Sequence, residues 1–227
     1  MNRLFIFLFL FFGLTTTKAQ IHEIGVFLGG SNYIGEIGKT DYIAPNQAAF
    51  GILYKWNKSP RHSWRFSYTM SKIISDDKNA TDPARKQRGY EFENSIKEVA
   101  AGLEFNFFDF NLHDSKPKLT PYVYSGLSYT RYDGLYFVNG KAEIDETHGT
   151  LAIPMILGIK TRLAGHLILG LEAGARYSFK DDLDGSNPTN TNLENLKFGN
   201  INSKDWYVFT GFTLTYTFGN KPCYCAD

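Results

Sequence analysis

Ser63-Trp64-Arg65-Phe66-Ser67-Tyr68-Thr69-Met70-Ser71-Lys72-Ile73 alternates residue by residue. Trp64, Phe66, Tyr68 and Met70 share one parity, and Arg65, Ser67, Thr69 and Ser71 share the other. Such a period of two is a β-strand with unlike faces. The bulky face is the apolar one, whereas a water-soluble barrel must fit its apolar side chains into a narrow interior. Large apolar residues on one parity, with Gly, Ala and Ser recurring on the other, fit a barrel that turns its apolar side outward into lipid.

Seven further segments carry the pattern: Glu23–Asn32, Ala48–Asn57, Ile96–Phe107, Thr120–Arg131, Thr150–Leu163, His166–Phe179 and Trp206–Phe218. The expected fold is therefore all-β, an eight-stranded antiparallel transmembrane outer-membrane β-barrel. Eight is the smallest such barrel, and closure leaves no strand edge unpaired in hydrocarbon. Alternation is weakest in the fifth segment. Pro154 inside the sixth has no N–H for the ladder and predicts a bulge or weakened pairing.

The connections suit a barrel. Lys58–His62 and Ala164-Gly165 are short, whereas 33–47, 74–95, 132–149 and 180–205 are read as long polar loops. Short turns face the periplasm and long loops the exterior, so both termini are expected in the periplasm. Phe108–Leu119 is longer than a plain turn and carries Phe108, Phe110 and Leu112; it reads either as a docking element or as a turn tucked against the rim.

Met1-Asn2-Arg3, the apolar run from Leu4 to Leu14, and Thr17 and Ala19 read as a signal peptide over residues 1–19,. The barrel is expected over 20–219 and a periplasmic tail over 220–227. The apolar run is too short to span as a helix. A net charge of +1 argues against nucleic acid as a partner,. Cys223 and Cys225 are the only cysteines and lie beyond the last strand, so they cannot staple the fold. Their spacing leaves open a strained mutual disulfide, an intermolecular bridge, metal binding or a tail without a role.

The inward parity also carries charge: Lys55, Arg65, Glu98, Glu104, Lys160, Arg162, Glu172 and Arg176. Both signs occur on neighbouring strands, which predicts a plugged, salt-bridged lumen rather than a pore. The five histidines point to no local catalytic motif, and no catalytic residue, cofactor or resident metal is expected. Asp181, Asp182 and Asp184 before Gly185 offer hard oxygen ligands suited to Ca²⁺, although a solvated acidic turn is the simpler reading. Arg85, Lys86 and Arg88 could meet lipopolysaccharide phosphates.

Several strings resemble the PorG family, the outer-membrane barrel component of the type IX secretion system of Bacteroidetes. They are I-H-E-I-G-V-F-L-G-G-S-N-Y-I-G-E (Ile21 to Glu36), Y-I-A-P-N (Tyr42 to Asn46), G-I-L-Y-K-W-N (Gly51 to Asn57), P-R-H-S-W-R (Pro60 to Arg65), R-K-Q-R-G-Y (Arg85 to Tyr90), G-L-E-F-N-F-F-D-F (Gly102 to Phe110) and F-T-G-F-T-L-T-Y-T-F (Phe209 to Phe218). The last is generic to small barrels; the first few are more specific. The resemblance implies a non-enzymatic part of an export machine that contacts a periplasmic ring of PorK and PorN, with gliding motility served in some relatives. Outer-membrane lipid and lipopolysaccharide would be the other partners. The residues expected to touch the ring are His22, Glu23, Arg61, His62, Phe108, Asp109, Phe110, Asn111, Lys221, Cys223 and Cys225. The alternative is a stand-alone barrel that binds or passes a small apolar ligand.

Overall fold

A computed structural model describes residues 21–112, 118–200 and 203–219. The segment expected to be a signal peptide and the tail with Lys221, Cys223 and Cys225 lie outside the described residues. Eight antiparallel strands close on themselves: β1 (Ile21–Ile34), β2 (Gln47–Asn57), β3 (His62–Asp76), β4 (Glu91–Asn106), β5 (Leu119–Val138), β6 (Lys141–Ala164), β7 (Leu167–Ser178) and β8 (Trp206–Phe218). Each strand pairs with its sequence neighbour, and β8 returns to β1 from His22↔Phe218 to Ile34↔Trp206. The fold class expected from alternation is the one observed. No helix among the described residues is long and apolar enough to cross a membrane.

The parity places the side chains as expected. Ile24, Leu28, Phe50, Ile52, Phe66, Val99, Leu127, Leu157, Leu171 and Phe212 stand exposed on the outer wall. Trp64, Phe107, Tyr216 and Phe218 edge this belt near the chain-end rim, while Tyr129, Tyr177, Phe179 and Trp206 edge it at the other end. An apolar band between aromatic girdles is what a lipid-spanning barrel presents. β2 has 11 residues, which at a tilt near 40° reach about 28 Å, close to the hydrocarbon band of such barrels.

One expected loop is not a loop. β5 and β6 have 20 and 24 residues and rise far beyond any lipid band, so segment 132–149 is a continuation of the hairpin. It turns at Asn139 and Gly140, with φ of 52° and 80°. Two successive positive φ values define the mirror-image tight turn that suits strand twist, and Asn-Gly is its preferred pair. The loop after β3 also has structure: a short 3₁₀ turn over Asp77–Asn79 and a helix, α1 (Pro83–Arg88), capped by Asp82 and ended by Gly89 at φ 69°.

Pro154 weakens pairing without making a bulge. The β5–β6 ladder breaks between Ser125↔Met155 and Ser128↔Ala152 while its register is unchanged, and Pro154 stays opposite Arg176 on β7. The register shifts lie elsewhere, between Asp133 and Leu135 and between Arg162 and Ala164.

Candidate functional site

Small residues on the inner parity make room for a few large polar ones. Gly158 faces Tyr122, whose ring occupies the space a Cβ would take. From there the Tyr122 hydroxyl donates to Glu172 Oε2 at 2.6 Å. Arg65 meets the same carboxylate through two nitrogens, at 2.7 and 2.8 Å. Such a fork is geometrically strict as well as strong. Beside it, Glu104 Oε1 accepts from Lys55 at 2.9 Å and from Lys160 at 2.6 Å, while its Oε2 lies 2.7 Å from Lys55 Nζ and 3.7 Å from Arg65. On the long-loop side of this layer, Arg176 lies 3.4 Å from Glu98, which also accepts from the Tyr207 hydroxyl at 2.7 Å.

These groups are almost fully out of contact with solvent. Buried charges are tolerated only when paired, and here they are. Seven of the eight expected lumen charges join this layer. Arg162 does not: it is half-buried and donates to the Leu112 carbonyl at 2.6 Å, tying the β4–β5 turn to the rim. Glu23 takes the vacant place in the lumen. Its carboxylate is fully buried and accepts from Asn57 at 2.9 Å and Thr215 at 2.7 Å. It therefore cannot serve as the rim contact expected of it, because its parity, read from Gly25 and Phe27, points inward. The polar tyrosines Tyr122 and Tyr207 belong to the network too; their positions among inward residues were visible, but their role depends on neighbours distant in sequence.

At the chain-end rim, Phe110 is the second correction. It is buried, its N–H bonds the Pro60 carbonyl at 3.2 Å, and its ring lies 5.1 Å from Lys160 Nζ. The aromatic ring caps the charge layer, so the tucked reading of this turn is the one observed for Phe110. Phe108, by contrast, is 61% exposed. Arg61 and Asp109 are both exposed and pair at 2.5 Å, joining the two turns of this rim. His62 is exposed against Phe105, while His22 stacks between Tyr54 and Phe218 and bonds the Tyr54 hydroxyl at 2.7 Å. Asn111 is half-buried. Of the expected contact residues among those described, Arg61, His62, Phe108 and Asp109 are the exposed ones.

At the opposite rim an apolar cluster closes the barrel. Tyr33, Ile37, Phe92, Tyr132, Leu135, Phe137 and Leu183 pack with the inward residues Phe27, Leu53 and Phe209. The β7–β8 loop folds into the mouth, so Asp181, Asp182 and Asp184 are buried and not the solvated turn expected of them. The basic run is largely engaged inside the protein. Arg88 binds Asp77 at 2.7 Å and the Glu36 carbonyl at 2.8 Å, and Arg85 donates to the Gly38 carbonyl at 2.9 Å. Only Lys86 of the three stands exposed, which leaves little of the expected phosphate contact.

One His–carboxylate pair was assembled in space. His148 Nδ1 lies 3.2 Å from Asp182 Oδ2, and the Tyr132 hydroxyl donates to Asp182 as well. The Thr189 hydroxyl is 3.4 Å from both ring nitrogens, so it lies along the lone pair of neither. A general base must aim one nitrogen at the proton it removes, and this ring does not.

The chain belongs to the DUF6089 family, a domain of unknown function that it matches over residues 2–227. No curated protein matches it. Among solved structures it is similar to the N-terminal β-barrel domain of OprF from Pseudomonas aeruginosa, with 12% identity and a TM-score of 0.47, over 88% of this chain and 99% of that one. It is also similar to Ail, the attachment invasion locus protein of Yersinia pestis, with 11% identity and a TM-score of 0.43, over 88% of this chain and 99% of that one. Neisserial surface protein A is a third, with 11% identity and a TM-score of 0.44, over 88% of this chain and 96% of that one. At these identities nothing about activity passes from those proteins to this chain.

Proposed function

We propose that this DUF6089 member is a non-enzymatic outer-membrane barrel subunit of the type IX protein secretion machinery, anchoring or contacting its periplasmic PorK/PorN ring. The observation that carries the reading is the filled lumen. Paired ions and aromatic rings occupy it from Phe110 at one rim to the Tyr33 cluster at the other, which leaves the rims as the working surfaces. The apolar belt seats the wall in lipid, and the family strings quoted above supply the machine. On this reading the short-turn rim faces the periplasm, and Arg61, His62, Phe108 and Asp109 are its exposed contact group.

The filled lumen weighs against the alternative of a barrel that passes a small apolar ligand. A broad apolar depression does exist, but it lies on the outer wall among Ile24, Val26, Ile52, Phe66 and Val99, where lipid would cover it. The test is affinity capture of the detergent-solubilised barrel from its own cells, with a photo-crosslinker in place of Phe108. Ring proteins in the crosslinked product, and loss of secretion on deletion, are the expected results. Normal secretion after deletion, with the ring still in the membrane fraction, would refute the proposal. Steady single-channel conductance would favour the alternative.

A further inference from the structure

Four carboxylates meet at the long-loop mouth, and few cations face them. Glu36 comes from the β1–β2 loop, Asp181 and Asp184 from the β7–β8 loop, and Asp205 immediately precedes β8. Glu36 is 9% exposed, Asp181 4%, and Asp184 and Asp205 not at all. One carboxylate oxygen from each of Glu36, Asp181 and Asp205 lies within 4.8 Å of the other two. Glu36 Oε2, Asp181 Oδ1 and Asp184 Oδ2 are buried and accept no hydrogen bond. Buried acceptors without a donor are rare in native proteins and point to a missing partner.

Four of the other oxygens are held in place. Ser203 Oγ donates to Glu36 Oε1, the Tyr33 hydroxyl to Asp205 Oδ1, the Leu183 N–H to Asp205 Oδ2 at 2.9 Å, and the Ser186 N–H to Asp184 Oδ1 at 2.8 Å. Lys204 is the cation that acts on Asp181, with Asn187 also facing it. Arg88 is committed to Asp77, and Lys180 lies 4.0 Å from Asp182.

We infer that Glu36, Asp181 and Asp205, backed by Asp184, form a calcium site that ties the β1–β2 loop to the β7–β8 loop. The donors are all hard oxygens on irregular loops, the set Ca²⁺ prefers. Ca²⁺ accepts the irregular arrangement of oxygens that two loops supply, whereas the smaller Mg²⁺ demands a near-ideal octahedron and gives up its waters reluctantly. Without a cation the cluster holds protons instead. Burial, together with Glu36 and Asp184, pushes Asp181 up to about 7, and burial pushes Asp184 up to about 6. Calcium and protons therefore compete for the same oxygens.

The full-length barrel, refolded in detergent and stripped with EDTA, is titrated with CaCl₂ and separately with MgCl₂ by calorimetry. Terbium luminescence, sensitised by Tyr33 beside Asp205, is the second readout. One Ca²⁺ per chain is expected, binding about tenfold or more tightly than Mg²⁺ and more tightly near pH 8 than near pH 6. Glu36→Gln and Asp181→Asn should each weaken binding by about tenfold or more, whereas Glu93→Gln on the outer wall should leave it unchanged. Heat-modifiable gel mobility confirms that each variant is folded. No uptake by the wild-type barrel at millimolar calcium would overturn the inference, and so would binding that survives both mouth substitutions.

Discussion

Replacing Glu104 by Gln tests the lumen network most directly. The carboxylate is fully buried and neutralises Lys55 at 2.7 Å and Lys160 at 2.6 Å, with Arg65 at 3.7 Å. At such distances and an effective dielectric near 20, each lysine contact is worth about 6 kcal/mol before desolvation is subtracted. The amide keeps the shape but loses the charge. Its oxygen can accept from one lysine, while its NH₂ confronts the other cations as donor against donor. Removing one partner of a buried ion group typically destabilises by about 3–5 kcal/mol, because the remaining charge stays buried and unpaired. The exposed pair of Lys72 with Glu93 provides the control. It is as short, at 2.5 Å, but both side chains are about half exposed, so Glu93→Gln should change stability by less than about 1 kcal/mol. Equilibrium urea unfolding in lipid vesicles, followed by tryptophan fluorescence, measures both. A Glu104→Gln loss under about 1 kcal/mol, or equal losses for the two variants, would refute the argument that burial makes this network matter.

Leu157 stands 68% exposed midway along the lipid-facing part of β6; Leu157→Arg should destabilise the barrel by about 2–4 kcal/mol in vesicles, and a change under about 0.5 kcal/mol would mean that this face does not meet hydrocarbon. The mouth should respond to pH. Asp181 is pushed up to about 7, first by burial and then by Glu36 and Asp184, so the folded mouth holds a proton that the unfolded chain releases near pH 4. Its contribution to stability is then greatest below about pH 4 and declines as pH rises to about 7. In EDTA, hydrogen exchange at the Leu183 amide, which is bonded to Asp205, should show less protection near pH 8 than near pH 5 once intrinsic rates are corrected; protection that rises over that window would contradict the assignment.

Much of the wall was legible because a strand in lipid sorts its side chains by parity, a purely local signal. Trp64 against Arg65 already tells outside from inside, and the charges Lys55, Arg65, Glu104, Lys160 and Glu172 could be assigned to the lumen one strand at a time. The same rule, applied one residue beyond Ile24, would have placed Glu23 inside. The upper hairpin was legible too, since Asn139-Gly140 is the pair its turn requires, but the polar residues around it resemble a loop when read for composition alone. Phe110 was not legible: nothing in its neighbours says that its ring turns back over Lys160, which is 50 residues away.

The sequence by itself determined an eight-stranded wall, its apolar outer face and its charged inner one, because alternation and turn residues act over a few neighbours. Only the tertiary structure decided which charges meet, which turn tucks in, and that Glu36, Asp181 and Asp205 converge. Glu36 comes from the β1–β2 loop and Asp181 and Asp205 from the two ends of the β7–β8 loop, and closure of the ring brings β1 against β8 and so sets those loops side by side. A contact of that kind depends on the curvature of the whole barrel, which no local stretch of chain encodes.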